Sequence, residues 1–385
     1  MIFKRLLSIL MKSKGLSAIA ISTISANGIS AIFWLYMASL LGSENYGEIN
    51  YFISIAIIST TFALLGANPT IVVYTAKGEK VAPILFVLAG LSGLIVSIIV
   101  FFLFDSIGTS LLIIGGVIFG LVTSELLGRG LYKKYGKYLV LQKILMVGFA
   151  VSLYHLLSLE GAIIGIALSY LPFTLLIYRR VKSEKIQLSI LKSKRVFMIN
   201  NYSLEISRIF GGHVDKLIIA PLFGFSLLGN YQLGFQFFLI MSILPTIVYQ
   251  YSLPQDSKGI SNYDLKRKTI ILSICISIFS FIFSPYLISN LFPTYLEAVQ
   301  VIQIMSFALI PKTINLMNTS YLIGKERTKF ILIGVVIYLI SQISLIIVLG
   351  ELYGINGIAS SLIIALSIES LFLYMSKKHV EKDEK

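Results

Sequence analysis

The chain has 385 residues, 56% of them hydrophobic and 13% charged, with a net charge of +14 at pH 7 and a mean hydropathy of +0.88. That much apolar side chain exceeds what one soluble core of this length can bury, so an all-α polytopic membrane protein is expected. In a soluble chain such a positive charge would point to nucleic acid. Here the basic residues form short clusters between apolar runs, which reads as membrane topology and excludes that partner.

Several chemistries are absent from the pattern. A single cysteine, Cys275, lies in an apolar run, which excludes an intrachain disulfide. No phosphate-binding G-x4-G-K-[ST] loop, H-E-x-x-H helix or Cys/His cluster occurs, and no His and carboxylate stand where they could activate a serine. A non-enzyme with no metal and no cofactor is the expectation.

In chain order, the basic start MIFKRLLSILMKSKG runs into an apolar stretch without a small-residue cleavage site, and predicts an uncleaved first span. Twelve spans are predicted, at about 16–41, 51–74, 81–104, 107–127, 138–157, 161–178, 196–223, 231–253, 269–292, 298–323, 330–349 and 354–375. With the N-terminus inside, 28 of the 32 Lys and Arg residues fall in inner segments and none in outer ones. The other four, Lys143, Arg208, Lys216 and Lys312, fall within spans. The positive-inside rule thus places both termini in the cytoplasm.

The basic linker 179–195 divides the chain into an N-terminal six-helix lobe, 1–178, and a C-terminal six-helix lobe, 196–376, followed by a charged cytoplasmic tail, 377–385. An even number of spans per lobe predicts parallel repeats flanking a central cavity. Two echoes accompany the division: IIGIALS at 163–169 with INGIASS at 355–361, and the G-x4-G turns GSENYG at Gly42 and GFSLLG at Gly224. The outer loops are too short for an extramembrane catalytic domain, so activity is expected inside the bundle.

The polar residues of the seventh span mark the candidate site. An Arg or Asp near the bilayer centre costs roughly 2.5–3.5 kcal/mol, so such residues face a bundle interior or an aqueous cavity. At 100° per residue Asn201, Glu205, Arg208, Gly212 and Asp215 share one side of the helix, with Arg208 about 20 Å beyond the basic linker. A self-neutralising Glu205–Arg208 pair is the purely structural alternative. In the first span Thr23, Asn27, Ser30 and Trp34 form a stripe, of which Asn27 is the candidate for a cavity contact. In the tenth, IPKTINLMNTS places Lys312 and Asn315 on one face beside Pro311, with a buried pairing to Glu205 or another acid as the structural alternative for Lys312. Arg208 and Lys312 among carboxylates suit an anion, since Arg offers forked donors to phosphate and Lys a compact charge.

LLGSENYGEINYFIS at 40–54 and HVDKLIIAPLFGFSLLGNYQLGFQF at 213–237 carry a resemblance. Leu41, Gly42, Tyr46 and Gly47 match an L-G-x-x-x-Y-G turn. Asp215, Lys216, Ile218, Gly229 and Tyr231 match D-K-x-x-[IL] followed by G-x-Y, and YLIGKERTK at 321–329 matches a tenth-to-eleventh-span loop. Over nearly its whole length the chain resembles Wzx-type O-antigen or polysaccharide flippases of the multidrug/oligosaccharidyl-lipid/polysaccharide (MOP) exporter superfamily. The resemblance implies translocation of an undecaprenyl-diphosphate-linked oligosaccharide, an O-antigen or capsular repeat unit, across the bacterial inner membrane by alternating access. It implies membrane lipids and the polysaccharide polymerase machinery as partners. It also implies coupling to a proton or sodium gradient, with Glu205 or Asp215 as the ion-binding carboxylate. A cation-coupled multidrug exporter of the same superfamily is the second reading, and a membrane-embedded polymerase the third.

Overall fold

The computed structural model describes residues 14–183, 189–257 and 262–383; within these, a few side chains, that of Arg208 among them, are left undescribed. The start of the predicted first segment and residues 184–188 of the predicted linker lie outside the described residues. The elements are α1 (Lys14–Leu64), α2 (Ala67–Ala76), α3 (Ala82–Phe104), α4 (Ile107–Gly128), α5 (Tyr132–Leu168), a 3₁₀ turn (Leu171–Phe173), α6 (Thr174–Ser183), α7 (Ser189–Phe223), α8 (Phe225–Met241), α9 (Ile243–Asp256), α10 (Tyr263–Leu291), α11 (Ala298–Gly324) and α12 (Thr328–Asp383). The described residues are helical throughout, with no strand.

Seven of the described helical stretches are long and apolar enough to cross a membrane, and α8 with α9 forms a further span bent by 43°. Three of the seven contain a backbone break: at Gly42 in α1, at Leu157 and Ser158 in α5, and at Gly354 in α12. Each break separates two arms. Counting the arms singly and adding α7, which carries the charged stripe, accounts for the twelve expected spans. The chain is a multi-pass membrane protein.

By contact, the chain groups into two compact units, one of Met1–Phe33 with Tyr51–His213 and the other of Trp34–Asn50 with Val214–Lys385. Helix α7 contributes to both, changing unit between His213 and Val214. In the first unit, Ala63, Ile71, Leu85, Val117 and Leu121 pack in one apolar cluster. In the second, the largest fully buried side chains include Tyr46, Tyr231 and Tyr295.

Four local features recur in the two halves of the sequence. Gly42 (φ 73°, ψ 173°) and Gly224 (φ 87°, ψ 165°) adopt the same left-handed bend, which a Cβ would oppose. A Cβ added at Gly47 would sit 1.9 Å from the Phe225 carbonyl oxygen, and one at Gly229 1.8 Å from the Ser43 carbonyl oxygen. The two G-x4-G turns therefore cross reciprocally within the second unit, backbone against backbone. Next, Ser97 on α3 donates to the Ser110 carbonyl on α4 at 2.9 Å, and Ser277 on α10 to the Ser306 carbonyl on α11 at 2.6 Å. Finally, the amide of Gln142 reaches Ser169 Oγ at 2.9 Å and that of Gln342 reaches Ser361 Oγ at 3.3 Å. These two serines end the matched heptapeptides IIGIALS and INGIASS.

The two Gln–Ser hairpins turn through the same conformation, Ser158 (φ 54°, ψ −139°) in the first and Gly354 (φ 56°, ψ −137°) in the second. The first is about one helical turn longer on each arm. Only glycine adopts this conformation without strain, so Ser158 costs on the order of 1–3 kcal/mol.

Two outcomes follow. Ser158→Gly raises the thermal midpoint of the detergent-solubilised protein. Gly229→Ala, which forces backbone apart, lowers it by the equivalent of about 2 kcal/mol or more. Gly148→Ala, with no atom within 4 Å of the new Cβ, is the control and leaves the midpoint at or slightly above that of the wild type.

Candidate functional site

Intramembrane charge survives only with a partner, and in the second unit every strongly buried charge has one. Asp215 and Lys216, 7% and 3% exposed, are neighbours in sequence near the C-terminal end of α7. Lys216 Nζ lies 2.9 and 3.1 Å from the two Asp215 carboxylate oxygens. Tyr231 of α8 donates to Asp215 Oδ2 at 2.8 Å, and its ring stacks on Phe235 at an interplanar angle of 10°. Phe235 in turn presents its face to Lys216 Nζ, 4.5 Å from the ring centroid. The acid, base and tyrosine of the D-K…G-x-Y pattern thus form one buried network tying α7 to α8.

A second polar group lies on α11 and α12. Helix α11 continues through Pro311, and Asn315, 4% exposed, donates from Nδ2 to Glu369 Oε2 at 2.8 Å and to the Leu366 carbonyl at 3.1 Å. Lys312, half-buried one turn earlier, acts electrostatically on Glu369. Of the partners expected for Lys312, Glu205 or another acid, the one with this interaction is Glu369, on the last helix. Tyr338, on the first arm of α12, is within electrostatic reach of both Asp215 and Glu369, which links the two groups into one polar seam through the unit.

The expected site residues divide between the units. Asp215, Lys312 and Asn315 belong to the second; Asn27, Asn201 and Glu205 belong to the first, as does the backbone of Arg208. Asn201 donates back to the Phe197 carbonyl at 2.8 Å. Glu205 is half-buried, and Asn27 is exposed, roughly 100–120° round its helix from the buried Ala26 and Phe33. The Arg208 side chain lies outside the described part of the structure. Sequence reasoning left Glu369 and Tyr338 without a role. Their sole signal was a polar atom in an apolar span, because Glu369 comes within electrostatic reach of Lys312 only through the packing of α12 on α11.

The turn after the first span is equally well engaged. Tyr46 packs edge-on to Trp34 and Tyr295, with ring centroids 6.3 and 6.1 Å away. Tyr295, in the loop before α11, donates to the Ala38 carbonyl at 2.7 Å, and burial raises its phenol above the ordinary range, so it stays a neutral donor.

No protein-family model matches the chain, and no curated protein matches it. Solved structures do match, over nearly the full length. The lipid II flippase MurJ in an inward closed conformation superposes with a TM-score of 0.74 at 16% identity, covering 93% of this chain and 87% of that one. The fold is that of MOP-superfamily transporters. An inward-facing multidrug resistance MATE family transporter of this superfamily superposes at 0.68 with 14% identity, over 96% and 99% of the two chains. A MOP superfamily transporter from Pyrococcus furiosus, described as having a binding pocket of reversed polarity, superposes at 0.57 with 15% identity, over 96% of each.

The Asp215–Lys216 pair makes a charge-balance prediction. Asp215→Asn or Lys216→Met alone leaves one buried charge uncompensated and lowers the thermal midpoint by the equivalent of about 3 kcal/mol. The double substitution recovers most of that loss, and Tyr231→Phe costs about 1 kcal/mol for its one hydrogen bond. Thermal unfolding in detergent, run as a double-mutant cycle, measures all four.

Proposed function

We propose that the chain is a flippase that moves an undecaprenyl-diphosphate-linked oligosaccharide, an O-antigen or capsular repeat unit, from the cytoplasmic to the outer leaflet of a bacterial inner membrane. The observation that carries this reading is the full-length likeness to a lipid flippase, joined to a polar seam in an otherwise apolar bundle. The division into lobes 1–178 and 196–376, alternating access between them, and cytoplasmic termini are parts of the same proposal.

In this reading Arg208 and Lys312 take the diphosphate, and Asn27, Asn201 and Asn315 meet the sugars. Glu205 and Asp215 are the candidate carboxylates for a coupling proton or sodium ion. Glu369, held by Asn315 beside Lys312, joins them. The polymerase machinery that consumes the flipped cargo is the expected partner.

Likeness to MATE transporters supports the second reading, cation-coupled multidrug export. Such an exporter would use a carboxylate at mid-depth in the first half. Asp105, Glu125 and Glu160 of that half stand at helix ends instead. Asp105 caps α3 in a left-handed conformation, Glu125 holds Arg129 and Arg180, and Glu160 accepts from Ser106 Oγ and, at 2.6 Å, from the Gly108 N–H at the start of α4. Flipping is therefore the preferred reading.

Arg208→Ala and Lys312→Ala, each expressed at wild-type membrane abundance in the native host, reduce surface polysaccharide by tenfold or more. Lipid-linked oligosaccharide accumulates in the cytoplasmic leaflet at the same time. A deletion strain with unchanged surface polysaccharide and altered drug tolerance would overturn the flippase reading in favour of the exporter.

A further inference from the structure

A second charged site lies in the first unit. The end of α4, the start of α5, and α6 line an open cavity of about 440 Å³. Among the described residues, four cations line it, Arg129, Lys134, Arg179 and Arg180, against one carboxylate, Glu125. Glu125 Oε1 accepts from Arg129 Nε at 2.8 Å and from Arg180 Nε at 2.5 Å, which holds two guanidiniums from different helices at one mouth. The remaining wall is apolar, with Val122, Leu126 and Leu176.

Topology alone accounts for basic residues in these segments. It does not account for their convergence, from three places in the sequence, on one concave site with three more positive charges than negative. The first turn of α5 adds to the effect. Leu131 and Lys134 border the cavity, and the N-cap residue Leu131 makes no side-chain cap, so the helix begins with its amide dipole uncapped beside the cations. A basic mouth over an apolar wall, at the end of membrane-spanning helices, matches a charged headgroup carried on a hydrocarbon tail.

We propose that this cavity binds the phosphate of a membrane lipid in the leaflet at that face. An anionic phospholipid and a prenyl diphosphate share that chemistry. The proposal concerns binding alone and stands whether or not the flippase reading does.

The test uses the purified full-length chain in detergent, with bound lipid counted by native mass spectrometry. The probes are phosphatidylglycerol, phosphatidylcholine, farnesyl diphosphate and inorganic phosphate. The variant is Lys134→Gln with Arg179→Gln; both side chains are exposed, and neither takes part in the Glu125 ion pairs. A lipid-free thermal midpoint equal to wild type confirms its fold, and Lys134→Gln alone serves if the double variant misfolds.

The expected result is that the wild type prefers phosphatidylglycerol or farnesyl diphosphate to phosphatidylcholine, and that the double variant weakens the preferred probe by about tenfold. Preference for phosphatidylglycerol identifies the source as bulk anionic lipid, and preference for farnesyl diphosphate identifies it as a prenyl carrier. Binding that does not discriminate against phosphatidylcholine, binding unchanged in the variants, or inorganic phosphate binding as tightly as either lipid would overturn the proposal.

Discussion

The cost of placing charge in hydrocarbon organises this protein. A lone ionised side chain at the bilayer centre is expensive, so each one kept there must be matched by packing that brings it a partner. Asp215 and Lys216 meet the requirement locally, as sequence neighbours steadied by Tyr231 and Phe235. Lys312 and Glu369 meet it across two helices, with Asn315 holding the carboxylate. Near the helix ends the same rule operates under milder conditions, in Glu125 with Arg129 and Arg180, Glu79 with Lys194, and Asp256 with Lys266. A pair so placed removes the net charge that hydrocarbon would penalise.

The second constraint is steric. Gly47 and Gly229 permit two turns to cross with each lying on the other's carbonyl, and Gly42 and Gly224 bend the chain into that crossing. Close approach through small residues is how helices associate where no hydrophobic force separates protein from solvent. It also explains the motifs. Of the four residues in the L-G-x-x-x-Y-G turn, one bends, one crosses, and Leu41 and Tyr46 are buried. In the second pattern, Asp215, Lys216 and Tyr231 form the buried network, and Gly229 is the crossing. These signatures report a packing solution, which is why they point to a fold and say little about cargo.

The spans were readable because hydropathy and the distribution of Lys and Arg are local properties, and the breaks at Gly42 and Gly224 were readable because glycine marks a left-handed bend. The match between 163–169 and 355–361 was visible as letters, but its physical content, a Gln–Ser contact in each hairpin, needed the packed helices. Ser158 was invisible for a related reason, since serine does not advertise positive φ. Within the candidate site the charged stripe of α7 was clear from period alone. The Glu369 partnership was not, because it depends on the register of α12 against α11. Nor does helical period reveal that α7 contributes to two units, a consequence of packing beyond its own turn.

The proposed movement of a lipid-linked oligosaccharide can be measured directly. Purified protein is reconstituted into vesicles that carry such a cargo in both leaflets, and an external lectin reads the exposed fraction over time. A flippase makes protein-containing vesicles expose inner-leaflet cargo within minutes while protein-free vesicles do not. Cargo that stays in its original leaflet, in vesicles whose protein transports a cationic dye, would contradict the proposed movement.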